Sequence, residues 1–403
     1  MTHKSKLIKI FSERGYIHQA TDLDTIDTQA ATSILPTYIG FDCTADSLHV
    51  GSLVQIMMLR ILQKCGHKPI VLMGGGTTKV GDPSGKDSAR PLLPTQDIET
   101  NKNGIKKVFE KYLSFGNAPT DALMVDNADW LDTLCYIKFL RDFGAHFSIN
   151  RMMTMESVKW RLDREQNLSF LEFNYAILQA YDFLELRRRY GCMMQLGGSD
   201  QWGNIVLGME IISKINKKDA FGLTTPLLTT STGKKMGKTE QGAVWIDQNK
   251  YSSYDFYQYW RNVDDNDVEK LLLIFSDLDK EEIKMLIKED INNAKKKLAY
   301  LVTKDCHSEN SAQEVEEKAR SIFENNSYDN IDEINFNIDS KLIDTLTSSS
   351  TVSSKSEAKR LIEGGGIKID DDQINDINLT IDKSYNEKIL KIGKKKYFKI
   401  IVK

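Results

Sequence analysis

The stretch that decides the fold is YIGFDCTADSLHVGS, residues 38–52, which passes from a short apolar run into a helical pattern continuing to Cys65. A strand-to-helix junction of this kind presents unpaired backbone N–H groups and the partial positive charge of a helix start to an anion. Gly51 has no side chain to hold a phosphate or a flat ring away, and His49 can donate to a phosphate oxygen. The stretch predicts a phosphate-binding turn, although His49 taken alone is also typical of an ordinary helix start.

The same order of strand and turn recurs along the first half of the chain. Apolar runs at 69–73, 122–125 and 193–196 each end at Gly or Asp and precede a helical pattern. Such alternation predicts an α/β fold, with a parallel sheet and crossover helices. Because ligands in such sheets bind beyond the carboxyl ends of the strands, we expect the functional residues to gather at one edge of the sheet.

The composition and hydrophobic pattern of the sequence change near Thr230 and again near Leu346. Residues 254–323 are charged, nearly free of Gly and Pro, and apolar at helical spacing, which predicts a helical domain. The stretch NNSYDNIDEINFNIDS, residues 325–340, is polar and acidic enough to be a linker. We therefore expect five parts. They are an α/β domain at 1–229, a polar loop at 230–246, a helical domain at 247–325, a linker at 326–340 and a small basic domain at 341–403.

Charge is distributed unevenly along the 403 residues, of which 40% are hydrophobic and 28% charged. The 54 Lys and Arg nearly balance 57 Asp and Glu, yet residues 341–403 carry a net charge of +4 and the remainder −7. Cations beside aromatic side chains suit a nucleic acid backbone, and a solvated surface is the alternative. These cations are Lys355, Lys359, Arg360, Lys394, Lys395 and Lys396.

Composition also excludes several classes of protein. No apolar run approaches the roughly 18 residues that cross a bilayer, and the N-terminus has no apolar core followed by small residues at a cleavage site. The five cysteines are odd in number and include no C-x-x-C pair, which argues against a disulfide framework and a structural zinc site. We expect a protein of the reducing cytoplasm that binds no metal of its own.

Two further stretches are candidates for phosphate contact. Residues 74–86, GGGTTKVGDPSGK, hold enough glycine for a sharp turn or a close approach to a ligand, and a long surface turn is the alternative. Residues 233–239, GKKMGKT, fall one residue short of the Walker spacing between glycines. Lys235 and Lys238, three apart, can still close over a polyphosphate as two point charges.

Together these motifs resemble the two signatures of class I aminoacyl-tRNA synthetases. HVGS at 49–52 is similar to the HIGH signature, and KMGKT at 235–239 is similar to KMSKS. More narrowly, the chain resembles the bacterial tyrosyl-tRNA synthetase family over most of residues 38–245 and again at 353–370. The similar stretches are YIGFDCTADSLHVGS, GDPSGKDSAR, FLRDFGAHFSINRMM, FNYAILQAYDF, QLGGSDQWGN, KKMGKTEQGAVW and SSKSEAKRLIEGGGIKID.

The resemblance implies an architecture and a reaction. It implies a Rossmann-like catalytic domain with a dimer-forming insertion at about 126–165, a mobile loop at 230–246, a helical domain for the anticodon stem and a C-terminal RNA-binding domain of ribosomal S-four type. The implied enzyme is a cytoplasmic homodimer whose partners are L-tyrosine, ATP with its Mg²⁺, and tRNA(Tyr). It activates tyrosine to tyrosyl-adenylate and pyrophosphate, then transfers tyrosine to the 3′-terminal adenosine of the tRNA.

Roles for individual residues follow from the same resemblance. Around the substrate tyrosine it places Tyr38, Asp82, Tyr175, Gln179, Asp182 and Gln201. Around ATP it places Gly40, Asp42, His49, Gly51, Ser52, Gly198, Asp200 and Lys238. Around the departing pyrophosphate it places Thr44, His49, Lys86, Arg90, Lys235, Lys238 and Thr239. No protein nucleophile or general base is required, because the attacking carboxylate is already an anion and positioning with charge stabilisation suffices.

The sequence departs from the family pattern at Ser52, which replaces the second histidine of HIGH, and at Met236-Gly237 within the second signature. Without the resemblance, the spacing of Tyr175, Gln179 and Asp182 would indicate only one face of an amphipathic helix. Two alternatives stay open, namely a tryptophan-selecting class I synthetase and a non-catalytic RNA-binding protein on a synthetase scaffold. Tyr38 and Asp182 oppose the first, and the retained phosphate-binding cations oppose the second.

Overall fold

The computed structural model describes residues 3–84, 92–239, 242–324, 331–349, 351–393 and 396–403. Within these ranges a central sheet has the strand order β1-β6-β5-β2-β3-β4. Strands β2 to β6 are parallel, and β1 pairs antiparallel with β6 at the edge. The strands are β1 Gln19–Ala20, β2 Thr37–Asp42, β3 Pro69–Gly74, β4 Leu123–Asp126, β5 Met194–Gly198 and β6 Phe221–Thr225. The predicted α/β class is therefore confirmed.

Helices cover both faces of this sheet, so β3 and β5 are buried along their whole length. The longest helix in this part, α9, begins with a capping box between Ser169 and Glu172 and ends at Gly191 in the left-handed conformation. The helices are α1 Lys6–Glu13, α2 Leu23–Thr32, α3 Val50–Lys64, α4 Thr95–Phe109, α5 Ala128–Leu131, α6 Tyr136–Asp142, α7 Ile149–Met153, α8 Glu156–Asp163, α9 Phe170–Tyr190 and α10 Trp202–Asn216. Among the described residues, no helix combines the length and the apolar character needed to cross a membrane.

A short antiparallel pair, β7 Lys238–Thr239 and β8 Gly242–Ala243, leads into the helical region that the sequence predicts. Its helices are α11 Ser253–Arg261, α12 Val268–Phe275, α13 Lys280–Glu289, α14 Ile291–Cys306 and α15 Glu309–Glu324. The N-terminal segment joins this region to the sheet, because the Arg14 guanidinium donates to three carbonyl oxygens after the end of α12 and within it. The Tyr16 hydroxyl donates to the Ile274 carbonyl, so the two regions share one continuous core.

The C-terminal unit contains a sheet of order β12-β11-β14-β15-β9 and a separate pair formed by β10 and β13. Its strands are β9 Asp332–Phe336, β10 Ser340–Lys341, β11 Ile367–Ile369, β12 Asp372–Gln373, β13 Thr380–Ile381, β14 Ile389–Ile392 and β15 Lys396–Val402. Its helices are α16 Leu342–Ser348 and α17 Lys355–Glu363. The likeness to ribosomal S-four stays a prediction.

The predicted linker at 326–340 is wrong over residues 332–336. These residues form β9, which pairs in parallel with β15. The polar composition conceals a period of two, because Ile334 and Phe336 point into the core while their neighbours are exposed. The C-terminal unit therefore includes residues before 341. Counting it from residue 331 adds three acidic residues and lowers its net charge from +4 to +1, so its basic character is local.

Candidate functional site

A cavity of about 560 Å³ opens at the carboxyl ends of β2 and β5, where the strand order of the sheet reverses. This is the position that the topology of a parallel sheet favours for a ligand. The walls come from the strand ends, the start of α3, the inner face of α9 and the segment around Met236. The predicted site residues that line it are Tyr38, Gly40, Asp42, Thr44, His49, Gly51, Ser52, Asp82, Tyr175, Gln179, Asp182, Gly198, Asp200, Gln201 and Lys235.

Tyr38 and Asp182 are the most buried of these polar residues, each with 1% of its surface exposed. The Asp182 carboxylate accepts hydrogen bonds from Trp130 Nε1 at 2.7 Å and Asn127 Nδ2 at 2.9 Å. Burial raises the pKa of Asp182 to about 8, against the lowering effect of these two bonds. The Tyr38 hydroxyl has no hydrogen-bond partner among the described residues. Together they offer an acceptor and a hydroxyl to a buried polar group of a ligand.

Asn127 is the residue that joins the separate walls of the cavity. Its Oδ1 accepts from the backbone N–H of Gly76 at 2.7 Å and of Thr77 at 3.3 Å, and its Nδ2 donates to Thr77 Oγ1 and to Asp182. Thr77 Oγ1 in turn donates to Asp42 Oδ1, and the Tyr175 hydroxyl donates to Asp42 Oδ2. One asparagine thus links the turn after β3, the end of β2 and the helix α9.

A second polar network lies on the side of the cavity nearest β5. Asn204 Nδ2 donates to Gln179 Oε1 at 2.8 Å, Gln179 Nε2 donates to Gln201 Oε1, and Gln201 Nε2 donates to Asp82 Oδ2 at 3.0 Å. Asp82 also accepts from the backbone N–H of Ser84. The three carboxylates Asp42, Asp82 and Asp200 all line the same cavity, which suits the binding of a cationic group.

Asp200 is influenced by both negative and positive groups of the cavity. Burial raises its pKa, the negative charge of Asp82 raises it further, and Lys235 acts in the opposite direction. Lys235 itself is exposed at the mouth of the cavity. The cavity therefore combines a carboxylate-lined interior with a cation at its entrance.

The two signature segments pack against each other. His49 is the N-cap of α3, and its Nδ1 accepts from the Gly51 N–H at 2.9 Å, which leaves the proton of the neutral ring on Nε2. Gly237 has φ +90°, and a Cβ on it would lie 2.7 Å from the Gly51 nitrogen. The Val50 N–H donates to the Val244 carbonyl, which ties the two segments together. The glycine of KMGKT is thus required by this close approach.

Several predicted residues are not part of this described geometry. Lys86 and Arg90 lie in 85–91, and Lys394 and Lys395 also lie outside the described residues. Lys238 and Thr239 form β7, which places their backbone beside the cavity wall at Met236.

Of the glycine-rich stretch at 74–86, the described residues 74–84 turn within the protein. A Cβ on Gly74 would lie 2.4 Å from Asp42 Oδ1, and one on Gly75 would lie 2.3 Å from Asp126 Oδ1. The glycines therefore admit two carboxylates of the protein itself, and this turn is buried rather than exposed at the surface. Lys79, in the same stretch, pairs with Asp132.

Sequence reasoning missed four residues that position the site, namely Thr77, Asn127, Trp130 and Asn204. Asn127 directly follows Asp126, the last residue of β4, and this place at the carboxyl end of a strand was its available signal. Trp130 and Asn204 lie on helices, where an apolar or polar residue has many other uses. Nothing in their spacing indicates a role.

In the C-terminal unit, α17 carries Lys355, Lys359 and Arg360 on its exposed side, opposite the buried Ala358 and Ile362. Lys355 pairs with Asp344 at 2.7 Å. Lys396 Nζ donates to the Thr351 carbonyl, shortly before α17 begins. The fold thus brings Lys396 to the cations of α17.

Comparison with known proteins gives two family matches that together cover most of the chain. Residues 31–324 match the family of class I tRNA synthetases (W and Y), and residues 323–400 match the tyrosine–tRNA ligase SYY-like C-terminal domain. A tyrosine–tRNA ligase of Wolbachia pipientis subsp. Culex pipiens (strain wPip) is 53% identical, covering 100% of this chain and 99% of that protein. One of Rickettsia felis is 50% identical, covering 98% and 99% respectively.

Solved structures agree with these matches. A C-terminally truncated mitochondrial tyrosyl-tRNA synthetase of Aspergillus nidulans has a TM-score of 0.70 at 29% identity, covering 79% of this chain and 94% of that one. A tryptophanyl-tRNA synthetase of Encephalitozoon cuniculi has a TM-score of 0.56 at 13% identity, covering 77% and 87%. The second likeness concerns the fold alone.

The raised pKa of Asp182 predicts a pH dependence of stability in the substrate-free protein. The folded state holds the carboxyl proton at pH values where the unfolded chain has released it. The resulting stabilisation is complete below about pH 4 and is lost as the pH rises towards 8. Relative to Asp182→Asn, the wild-type free energy of unfolding should fall by up to about 1.4 kcal/mol per pH unit across this window.

Chemical denaturation of both proteins at a series of pH values between these limits measures the difference. Asp129→Asn is the matched control, because Asp129 is exposed one residue before Trp130 and meets solvent in both states. A difference between wild type and Asp182→Asn that stays constant with pH would contradict the assignment of a buried, protonated carboxyl.

Proposed function

The chain belongs to the tyrosine–tRNA ligases of the class I tRNA synthetase family, and from this membership and the site geometry we propose how it works. It activates L-tyrosine with ATP, forming tyrosyl-adenylate and pyrophosphate, and transfers the tyrosine to the 3′-terminal adenosine of tRNA(Tyr). Its location is the cytoplasm, where ATP and tRNA are available.

One observation supports tyrosine as the substrate: the Tyr38 hydroxyl, which has no partner among the described residues, lies with the buried Asp182 carboxyl in one cavity. The substrate phenol can donate to a carboxyl oxygen of Asp182 and accept from the Tyr38 hydroxyl. A substrate without that group leaves the buried Tyr38 hydroxyl unpaired and removes one donor from Asp182, which costs about 1–3 kcal/mol. Asp82, Tyr175, Gln179 and Gln201 would surround the substrate ammonium group, which suits their carboxylate, hydroxyl and amide oxygens.

In the activation step the tyrosine carboxylate attacks the α-phosphate of MgATP in line, and pyrophosphate leaves. His49 Nε2 and Thr44 would donate to phosphate oxygens, with Gly51 against the adenine and Lys235 at the entrance. Ser52 keeps a hydroxyl where HIGH has its second histidine. Family membership assigns further contacts with the phosphates to four residues whose side chains lie outside the described structure, namely Lys86, Arg90, Lys238 and Thr239. Gly40, Asp42, Gly198 and Asp200 would contact the nucleotide.

Amino-acid-dependent exchange of pyrophosphate into ATP tests this proposal with tyrosine, tryptophan and phenylalanine. We expect exchange with tyrosine. Tyr38→Phe should lower the preference for tyrosine over phenylalanine by about 10-fold, because it removes one buried hydrogen bond to the phenol. Tyr181→Phe, on the same helix as Asp182 but outside the cavity lining, is the matched control.

Each alternative gives a distinct result in this assay. Exchange supported by tryptophan would identify a tryptophan-selecting enzyme. Folded protein that supports no exchange with any of the three amino acids would indicate an RNA-binding protein without catalysis, and would overturn the proposal.

We propose that the C-terminal unit binds tRNA through the cations of α17 and of the segment around Lys396. Lys359 and Arg360 are exposed there, and Lys396 lies beside the start of the same helix. Phosphate contacts of this kind supply sequence-independent affinity. The unit as a whole is nearly neutral, so the proposal rests on the local cluster of cations on this face.

Because β9 belongs to the C-terminal sheet, a truncation should end at residue 330 rather than 340. The shortened chain should retain tyrosine-dependent pyrophosphate exchange while its kcat/KM for tRNA charging falls by at least about 10-fold. Full-length Lys359→Ala/Arg360→Ala should show a smaller loss and a shallower salt dependence, with exposed Lys383→Ala as control. Unchanged charging by the truncated chain would show that this unit has another role.

We further propose that the insertion at about 126–165, together with the adjoining start of α9, forms the interface of a homodimer. Large apolar side chains are exposed there, including Ile137 at 71% and Phe170 at 70%. Several exposed large apolar side chains in one part of the chain favour an interaction surface. Leu140 is partly exposed, whereas Phe139 packs on Tyr181 in the core and would not contribute directly.

Sedimentation analysis tests the dimer. Ile137→Lys should shift the protein to monomer, because burying an uncompensated charge at an interface is unfavourable. Met285→Lys, at an exposed apolar position of α13, should leave the mass unchanged. A wild-type monomer would contradict the proposed interface.

A further inference from the structure

A glycine is the tenth residue of α4, where the fold gains nothing from conformational freedom. Gly104 has helical neighbours on both sides in a helix that spans Thr95–Phe109. Glycine at such a position costs roughly 1 kcal/mol of helix stability relative to alanine. Neither the proposed substrate contacts nor the hydrophobic core uses this residue.

The explanation lies in a contact with the loop that follows β2. An ideal Cβ on Gly104 would lie 1.9 Å from the Asp46 carbonyl oxygen and 2.7 Å from the Asp46 carbonyl carbon. Both atoms are backbone, so no flexible side chain can move aside. Any larger residue at 104 must displace either the helix or the loop.

A second contact one turn earlier holds the same loop. Asn101 Nδ2 donates to the Cys43 carbonyl at 2.9 Å, while the Cys43 N–H donates to Thr78 Oγ1 at 2.7 Å. Residues 43–47, here termed the Thr44 loop, are therefore fixed from two sides. The helix α4 contacts the loop at Cys43 and at Asp46, and Thr44 lies between these two residues. Thr44 also lines the cavity.

We propose that Gly104 and Asn101 are positioning residues for the Thr44 loop, and through it for the triphosphate of ATP. The inference rests on the proposed function, in which Thr44 contacts the phosphates. The helix α4 makes no substrate contact itself. Its close backbone approach and one amide hydrogen bond set where the Thr44 hydroxyl lies.

The tyrosine end of the cavity is held by different contacts. Asp182 is positioned through Asn127 and Trp130, and among the described contacts neither Gly104 nor Asn101 bonds to these residues. Displacing the Thr44 loop should therefore impair ATP use and leave tyrosine binding intact. A general loss of stability would affect both substrates.

Two variants test the proposal against one matched control. Gly104→Ala adds a methyl group against Asp46, and Asn101→Ala removes the amide donor without adding atoms. Asn103→Ala is the control, because Asn103 is an exposed asparagine on the same helix. Measurements are the KM for ATP and kcat in tyrosine-dependent pyrophosphate exchange, and the Kd for tyrosine without ATP by calorimetry.

We expect Gly104→Ala to lower kcat/KM for ATP by about 10- to 100-fold, the scale of a misplacement near 1 Å. Asn101→Ala should change it in the same direction by a smaller factor, while the Kd for tyrosine stays at the wild-type value in both. Asn103→Ala should match wild type throughout. If Gly104→Ala fails to fold, Asn101→Ala alone decides the outcome, because it introduces no clash.

The proposal is overturned if both variants keep wild-type ATP kinetics, or if tyrosine Kd rises by the same factor as the loss for ATP. Hydrogen exchange of the backbone amides of residues 45–47 provides a readout that needs no turnover. Faster exchange in both variants but not in Asn103→Ala supports the positioning role even if wild type activates no amino acid. Wild-type exchange rates in all variants contradict it.

Discussion

The structure depends on keeping one carboxyl group, Asp182, buried at the closed end of a polar cavity. Burial disfavours its charge, and its pKa rises to about 8 although two neutral donors hold it. These donors fix the orientation of the carboxyl group, and its oxygens remain available to a phenol. Asn127 is suited to this task because the same amide also fixes the turn after β3. The substrate end of the site and the turn of the sheet therefore share one residue.

Much of this arrangement could be predicted from the sequence, because it depends on local patterns. The short apolar runs ending in Gly or Asp correspond to β2, β3, β4 and β5, and the residues at their ends meet at one edge. The position of Asn127 after β4 was a signal, but the partners of Asn127 and Asn204 could not be predicted, since only the fold brings these distant residues close. The misassigned linker has a related cause: two apolar residues in a short edge strand are too weak a pattern against an acidic background.

The glycines of this protein make room for different neighbours. Gly237 admits the backbone of Gly51, so the two signatures can pack closely. Gly74 and Gly75 admit carboxylates of the protein itself, and Gly104 admits a backbone carbonyl from another loop. A glycine therefore indicates that something approaches closely, and only the structure shows whether that neighbour is a ligand or the chain.

The distribution of charge in the cavity would place the two proposed substrates at different ends. Asp42, Asp82 and Asp200 line its interior. Their negative potential attracts an ammonium group and repels phosphates. Lys235 lies at the entrance on a segment packed against the start of α3, whose helix dipole also favours anions. An amino acid with its positive charge inward and a nucleotide with its phosphates outward satisfy both fields at once. The attacking carboxylate and the α-phosphate would then meet at the boundary, where neither field opposes the reaction.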